Sequence, residues 1–340
     1  MSDILKKDRI GKYFKQYLSK FLFVEFSDEF MKKLRIDDIA KGVRVPIMPQ
    51  DLRDFAGGEG VSATKIAENM VWVVGCDPNF KYAEDYRKYM KRFFNEQLPK
   101  DALMMGVSAV NHEDYENACI HFRAALFLEP NMMEAMYNYA RVCREMYMNS
   151  EDGEYIGWFK AESIDAFEQL TIDHPDFDQP YYFLGYAYLN LGLYEKAGLA
   201  WEKFMTKAKD PQIVQEIGQR LRQIAEPRKI EQGCNAVISG RYQEGLNILI
   251  SFLGSDYDTW WPLHFYLGTA YEELGNDVMA IEEFKTALKY NAASLDSIDG
   301  LIRTYTRCGD EAMVNKYTQK KEIIIKNLKA DAEDMKPLDR

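Results

Sequence analysis

Six side chains define the chemistry this chain has to offer. Tyr137, Arg141 and Arg144 recur at intervals of four and three, so on a helix they share one face, with Asn138 beside them. Tyr182 and Tyr186 repeat the four-residue interval downstream. Guanidinium forks hold carboxylates or phosphates bidentately, and phenol rings supply contact area at low entropic cost. The cluster Tyr137, Asn138, Arg141, Arg144, Tyr182 and Tyr186 therefore predicts a site for an extended acidic or C-terminal peptide. The competing expectation is that the tyrosines pack between helices and the arginines pair with acids of their own chain.

Nothing in the sequence spells out catalysis or a cofactor. The four histidines, His112, His121, His174 and His264, lack helical metal spacing, and there is no Gly-x-Ser-x-Gly elbow. The acidic stretch Ser150 to Glu154 lacks the alternating ligands of a calcium loop. Gly57 to Gly60, GGEG, has neither the Lys-Ser/Thr of a phosphate loop nor its strand context, and reads as a hinge. Glu272 and Glu273, like Glu282 and Glu283, read as solvated helix faces. The expectation is a noncatalytic protein without metal or cofactor.

The elements that must position the six residues are written in a recurring interval. Gly106 is followed by Tyr115, Ala118, Phe122 and Ala125; Gly185 by Tyr194, Ala197, Trp201 and Phe204; Gly268 by Asp277, Ala280, Phe284 and Ala287. All three sets stand at offsets of 9, 12, 16 and 19 from the glycine. A small residue lets two helices approach, and the aromatic fills the gap beside it. One such hairpin cannot bury its apolar face, so several must stack.

This spacing resembles the tetratricopeptide repeat family, whose unit of about 34 residues carries Leu-Gly, Tyr, Ala, an aromatic, Ala and Pro. The resemblance implies an all-α, right-handed α-solenoid of about five to six helical hairpins over 101–328, preceded by a smaller helical region over 1–100. It covers 102–130, 178–208 and 258–292 well, 131–177 and 228–257 less well, and 295–328 weakly. The glycine or its replacement falls at 106, 140, 185, 233, 268 and 302, so two steps, of 45 and 48, are long. The first implies about eleven extra residues near 148–157, as a loop or a lengthened helix end. The second implies an extra turn or helix over 211–227, where Ile213, Ile217, Leu221 and Ile224 follow an Asp210-Pro211 start.

One groove of this family clamps the terminal carboxylate of heat-shock chaperones with Lys and Asn residues. At the matching places this chain has Leu103 and Val107, and keeps only Asn138, so that ligand is not implied.

Charge is unevenly placed. Residues 1–100 carry 19 Lys/Arg against 15 Asp/Glu, and the remainder 24 against 39. An array at −15 disfavours nucleic acid and anionic membrane. Within the N-terminal region, Tyr13, Phe14, Tyr17, Leu18, Phe21 and Leu22 follow a helical period opposite Lys12, Lys15 and Lys20, predicting an amphipathic basic helix from Ile10. It would pack on its own domain, or attach to a partner or membrane surface. Residues 41–61 read as loop with one helical turn after Pro49; Ser62 caps a helix through Val74, closed by Gly75; and 78–97 reads as another helix.

Five cysteines without a Cys-x-x-Cys pair predict structural thiols, with Cys119, Cys143 and Cys308 inside repeat helices. No run reaches transmembrane length, and a reducing cytoplasm is the expected address. At the other end, Tyr317 to Leu328, with Ile323, Ile324 and Ile325, predicts a closing helix or a homodimer contact, and 329–340 a frayed tail.

The leading functional expectation is an adaptor that binds a protein or peptide. Two alternatives stand beside it: a peptide-sensing regulator whose basic N-terminal domain acts on DNA or a partner, although the Trp72 to Cys76 connection and low Arg content fit a helix-turn-helix over 62–97 poorly, and an enzyme with its site in residues 1–100.

Overall fold

The computed structural model describes residues 2–51, 62–94 and 97–334, so the Gly57–Gly60 hinge and residues 52–61 of the expected loop lie outside the described residues. Two compact units divide the chain, Met1–Ala187 with Thr206–Ala208, and Tyr188–Met205 with Lys209–Arg340. Both are built of helical hairpins, and the fold is all-α.

In the first unit, α1 (Asp3–Lys7) leads not to one amphipathic helix but to two 3-10 turns, Gly11–Tyr13 and Lys15–Lys20. The segment then enters a strand, β1 (Leu22–Glu25). The physical reason lies in where the rings go. Tyr13 packs edge-on against Tyr155 and Phe14 against Phe159, whereas Tyr17 and Phe21 pack on Trp72. The two 3-10 turns direct the first pair of rings to one element and the second pair to another.

After α2 (Asp28–Leu34) and α3 (Asp37–Ala40), β2 (Arg44–Ile47) pairs antiparallel with β1, Leu22 opposite Ile47. The expected loop thus contains a buried strand, and the N-terminal region is not purely helical. Val45 and Ile47 are the reason: β-branched side chains on an edge that the core covers.

Ser62 caps α4 (Ala63–Cys76) by accepting from Lys65 N at 3.1 Å. The helix runs past Val74, because Gly75 is a contact rather than a stop: a Cβ there would collide with the Ile120 carbonyl oxygen. α5 (Ala83–Phe94) starts later than the expected 78–97. The repeats begin with α6 (Gln97–Asn111) and α7 (Tyr115–Leu128), whose Gly106 faces the Phe122 ring so closely that a Cβ would stand 2.5 Å from it.

In the next hairpin, α8 (Met133–Met148) and α9 (Gly153–Asp173), the extra residues lengthen the helices, leaving only 149–152 between them. Ser163 ties the pair by donating to the Ala140 carbonyl at 2.8 Å. Fully buried Phe122, Phe127 and Phe159 each contribute about 1.5–3 kcal/mol by leaving water.

Residues 1–100 are not set apart from these hairpins. α4 packs on α7, and Arg87 donates to the Phe127 carbonyl at 2.8 Å. Arg123, fully buried, donates to the Gly75 carbonyl at 2.7 Å and to Asp8 at 2.5 Å. Arg9 reaches Asp165 at 2.6 Å. The division between compact units falls instead within α10 (Gln179–Asn190).

The second unit holds α11 (Tyr194–Met205), then the extra helix, α12 (Pro211–Gln223), which Asp210 caps by accepting from Gln212 N at 2.9 Å. Ile217 is its buried residue, with Ile213 and Leu221 half-buried, and Ile224 is buried at its C-terminal cap. α13 (Ala225–Ile238) and α14 (Tyr242–Leu249) keep the repeat offsets from Gly233, at Tyr242, Gly245, Leu249 and Phe252. In α15 (Trp261–Glu273), α16 (Asp277–Tyr290) and α17 (Leu295–Cys308), the Phe284 ring lies between Gly268 and Gly300, either of which would clash with it through a Cβ.

α18 (Glu311–Asp334) closes the unit with Tyr317 stacked on Tyr305 at 5.9 Å and Lys321 bonded to Asp299. The helix continues through 334, into the tail expected over 329–340; 335–340 lie outside the described residues.

Candidate functional site

Helices α8 and α10 carry the six predicted residues, and five of them fall into one aromatic cluster. The Tyr137 ring stands edge-on to Phe177 at 5.0 Å and to Phe167 at 6.4 Å, and is tilted on Phe183 at 6.2 Å. Phe183 continues to Tyr182 at 5.3 Å and Tyr182 to Tyr186 at 5.2 Å. Burial in this cluster pushes the Tyr137 hydroxyl above its ordinary pKa. Its ring is thus a wall, with limited surface left for a ligand.

The guanidinium groups lie on top of that wall. Arg141 is exposed, 5.5 Å from the Tyr137 ring centroid, and among the described residues no carboxylate stands in salt-bridge range of it. Arg144 lies 5.8 Å from the Phe183 centroid and donates to Glu145 at 2.9 Å. The competing expectation holds for Arg144, whose partner is a surface acid worth at most about 1 kcal/mol. It does not hold for Arg141. Asn138 turns back on its own helix, donating to the Glu134 carbonyl at 2.8 Å, and stays outside the cluster.

Three members, Phe167, Phe177 and Phe183, were not among the predicted residues. Phe183 sits beside Tyr182 on a different helical face, and Phe177 in the connection before α10, where periodicity carries no signal. Crowding does: Phe177, Tyr181, Tyr182 and Phe183 fall within seven positions.

Elsewhere, acids read as solvated prove to be partners. Glu272 is buried and holds Arg303 through two bonds of 2.9 and 2.7 Å, and Glu283 is buried against His264 Nδ1 at 2.6 Å. Cys308 is exposed, not buried like the other four thiols. Among the described residues no three His, Cys, Asp or Glu side chains are placed to share a metal ion, and no helix is long and apolar enough to cross a membrane.

Residues 160–209 match the family described as Tetratricopeptide repeat. No curated protein matches. Solved structures similar to this chain include MamA 41-end from Desulfovibrio magneticus RS-1, 16% identical over 55% of this chain and 96% of that one, TM-score 0.36. PilW, a type IV pilus biogenesis factor, is 13% identical over 68% and 99%, TM-score 0.30. The TPR2AB-domain:pHSP90 complex of yeast Sti1 is 11% identical over 70% and 95%, TM-score 0.31. At TM-scores below 0.5 these neighbours bear on neither ligand nor mechanism here. Repeat spacing, glycine-to-aromatic contacts within the hairpins and the matched segment 160–209 together show that the chain carries repeats of the tetratricopeptide type.

Proposed function

We propose that this protein is a noncatalytic adaptor that holds an acidic peptide, or the acidic C-terminus of a partner protein, against α8 and α10. The observation that carries the reading is Arg141: an exposed guanidinium laid on the Tyr137 ring with no carboxylate among the described residues in salt-bridge range. A ligand carboxylate would complete that fork, and Arg144 would exchange the weak Glu145 contact for a second one. Tyr182 and Tyr186 would supply the apolar floor. Five cysteines, none of them in a disulfide, favour a reducing compartment such as the cytoplasm.

The test is titration of the whole protein with a fluorescent glutamate-rich peptide bearing a free C-terminal carboxylate. Binding is expected to weaken about tenfold or more in Arg141→Ala/Arg144→Ala, a loss of about 1.4 kcal/mol. Unchanged affinity in the doubly substituted protein would refute the site.

A further inference from the structure

A second surface, within the C-terminal unit, has the opposite chemistry. A cavity of about 680 Å³ opens between α13 and α15, and three carboxylates, Glu231, Asp256 and Asp296, stand around it. Among the described residues no lysine, arginine or histidine lines it. Its walls are aromatic, chiefly Trp260, Trp261, Phe265 and Tyr257, with Trp261 and Phe265 one helical turn apart at 6.3 Å between centroids. Trp260 is 42% exposed, and across the opening Ile238 is 66% exposed. Large apolar side chains are seldom left in water next to one another and next to three acids without a ligand to cover them.

We infer that this cavity binds a basic peptide segment, seating an arginine side chain between the tryptophan faces and the carboxylates. The aromatic rings attract a cation through their quadrupole, and acids beyond the ring edge take its N–H donors, the combination that suits a flat guanidinium. The wall is preformed. His264 Nε2 bonds the Asp258 carbonyl at 2.7 Å, Asp258 Oδ1 accepts from Gly254 N at 3.0 Å, and Trp260 N donates to the Tyr257 carbonyl at 2.9 Å. The segment carrying Asp256, Tyr257 and Trp260 is thereby held before a ligand arrives, which lowers the ordering cost of binding. The nearby lysine of α13 does not fill the place: Lys229 stands over Phe252, 5.8 Å from its centroid.

The proposal is independent of the Arg141 site, and one experiment separates them. Three labelled peptides of the same Gly-Ser frame, with a central Arg-Arg-Arg, citrulline triplet or Glu-Glu-Glu, are titrated against the full chain by fluorescence anisotropy at about 0.15 M salt, where distant surface charges are screened. The arginine peptide is expected to bind about tenfold or more tighter than its uncharged citrulline isostere, with quenching of tryptophan emission. Trp260→Ala, an exposed position that leaves the core intact, and Asp256→Asn/Asp296→Asn are each expected to weaken it about fivefold or more. Arg141→Ala/Arg144→Ala is expected to leave it unchanged. Equal binding of arginine and citrulline peptides would mean an apolar segment is the occupant, and equal binding by the wild-type and Asp256→Asn/Asp296→Asn proteins would mean general attraction to an acidic surface. Either result, or no binding at all, overturns the inference.

Discussion

Arg123 and Asp8, 115 positions apart in sequence, meet as a buried ion pair at 2.5 Å. The guanidinium is fully enclosed and the carboxylate nearly so, so neither has water to fall back on. Asp8 also has the left-handed backbone conformation, φ 42°, which Asn tolerates. Asp8→Asn therefore removes the charge without straining the chain, and is expected to cost about 3–5 kcal/mol by leaving Arg123 unpaired. Asp3→Asn, which breaks only the exposed Lys6 pair, should leave the midpoint almost where it was. Equal urea midpoints for the two variants would contradict this.

Two helical glycines should respond in opposite directions. Gly75→Ala forces a Cβ into the Ile120 backbone and should destabilise the first unit by about 1–3 kcal/mol. Gly157→Ala meets nothing within 4 Å, lies inside α9, and should stabilise by up to about 1 kcal/mol. Thermal unfolding of the pair reads both signs at once.

His264 makes the second unit sensitive to pH. Both ring nitrogens face acceptors, Glu283 and the Asp258 carbonyl, with the Asp258 carboxylate 3.9 Å away and the Tyr290 ring stacked at 5.7 Å. Burial alone would lower its pKa; the Glu283 and Asp258 bonds outweigh that and raise it. The raised folded value means that the stabilisation is complete below the unfolded pKa of about 6.5 and is lost as pH rises through the folded pKa. Stability measured from pH 6 to 9 should fall through that window, and His264→Gln should flatten the fall. A slope that persists in the variant would assign it to another group.

Thiol labelling should be equally uneven. Cys76, Cys119, Cys143 and Cys234 are buried, and burial pushes the Cys76 and Cys234 thiols up to about 12. Exposed Cys308 is expected to react first and alone in the native protein, though slowly for a surface thiol, because desolvation and the Asp277 carboxylate raise its pKa. Release of more than about one equivalent of thionitrobenzoate per chain before unfolding would show that the core thiols are reachable.

Ile323 and Leu328 are 60% and 52% exposed on α18, whereas Ile324 is half-buried against the preceding helices. A homodimer through this face predicts a concentration-dependent mass in sedimentation that Ile323→Glu/Leu328→Glu abolishes. A monomer at all concentrations would leave α18 as an end cap alone.

The repeat was legible because its constraint is local: a glycine and an aromatic at a fixed offset have to meet inside one hairpin, as Gly106 meets Phe122. Gly233 carries the same offsets with Leu249 in place of the ring and Gly245 in place of the alanine, which makes its unit less legible. What could not be read was set by long-range partners. The segment after Ile10 has a helical period, yet Phe159 and Trp72 pull its rings to separate elements. Gly75 looks like a terminator until Ile120 is placed against it. Arg141 and Arg144 look alike in sequence; only Glu145's rotamer and the aromatic floor distinguish them.

Phe284, seated between Gly268 and Gly300, keys two successive hairpins to a single ring. A residue added within α16 ahead of it would swing the ring by about 100° and empty both notches together. A residue added beyond Tyr290 would leave the ring seated. Growth of such an array is thus confined to its bends, and a lineage can vary reach and loop content there while the spacing of its teeth stays fixed.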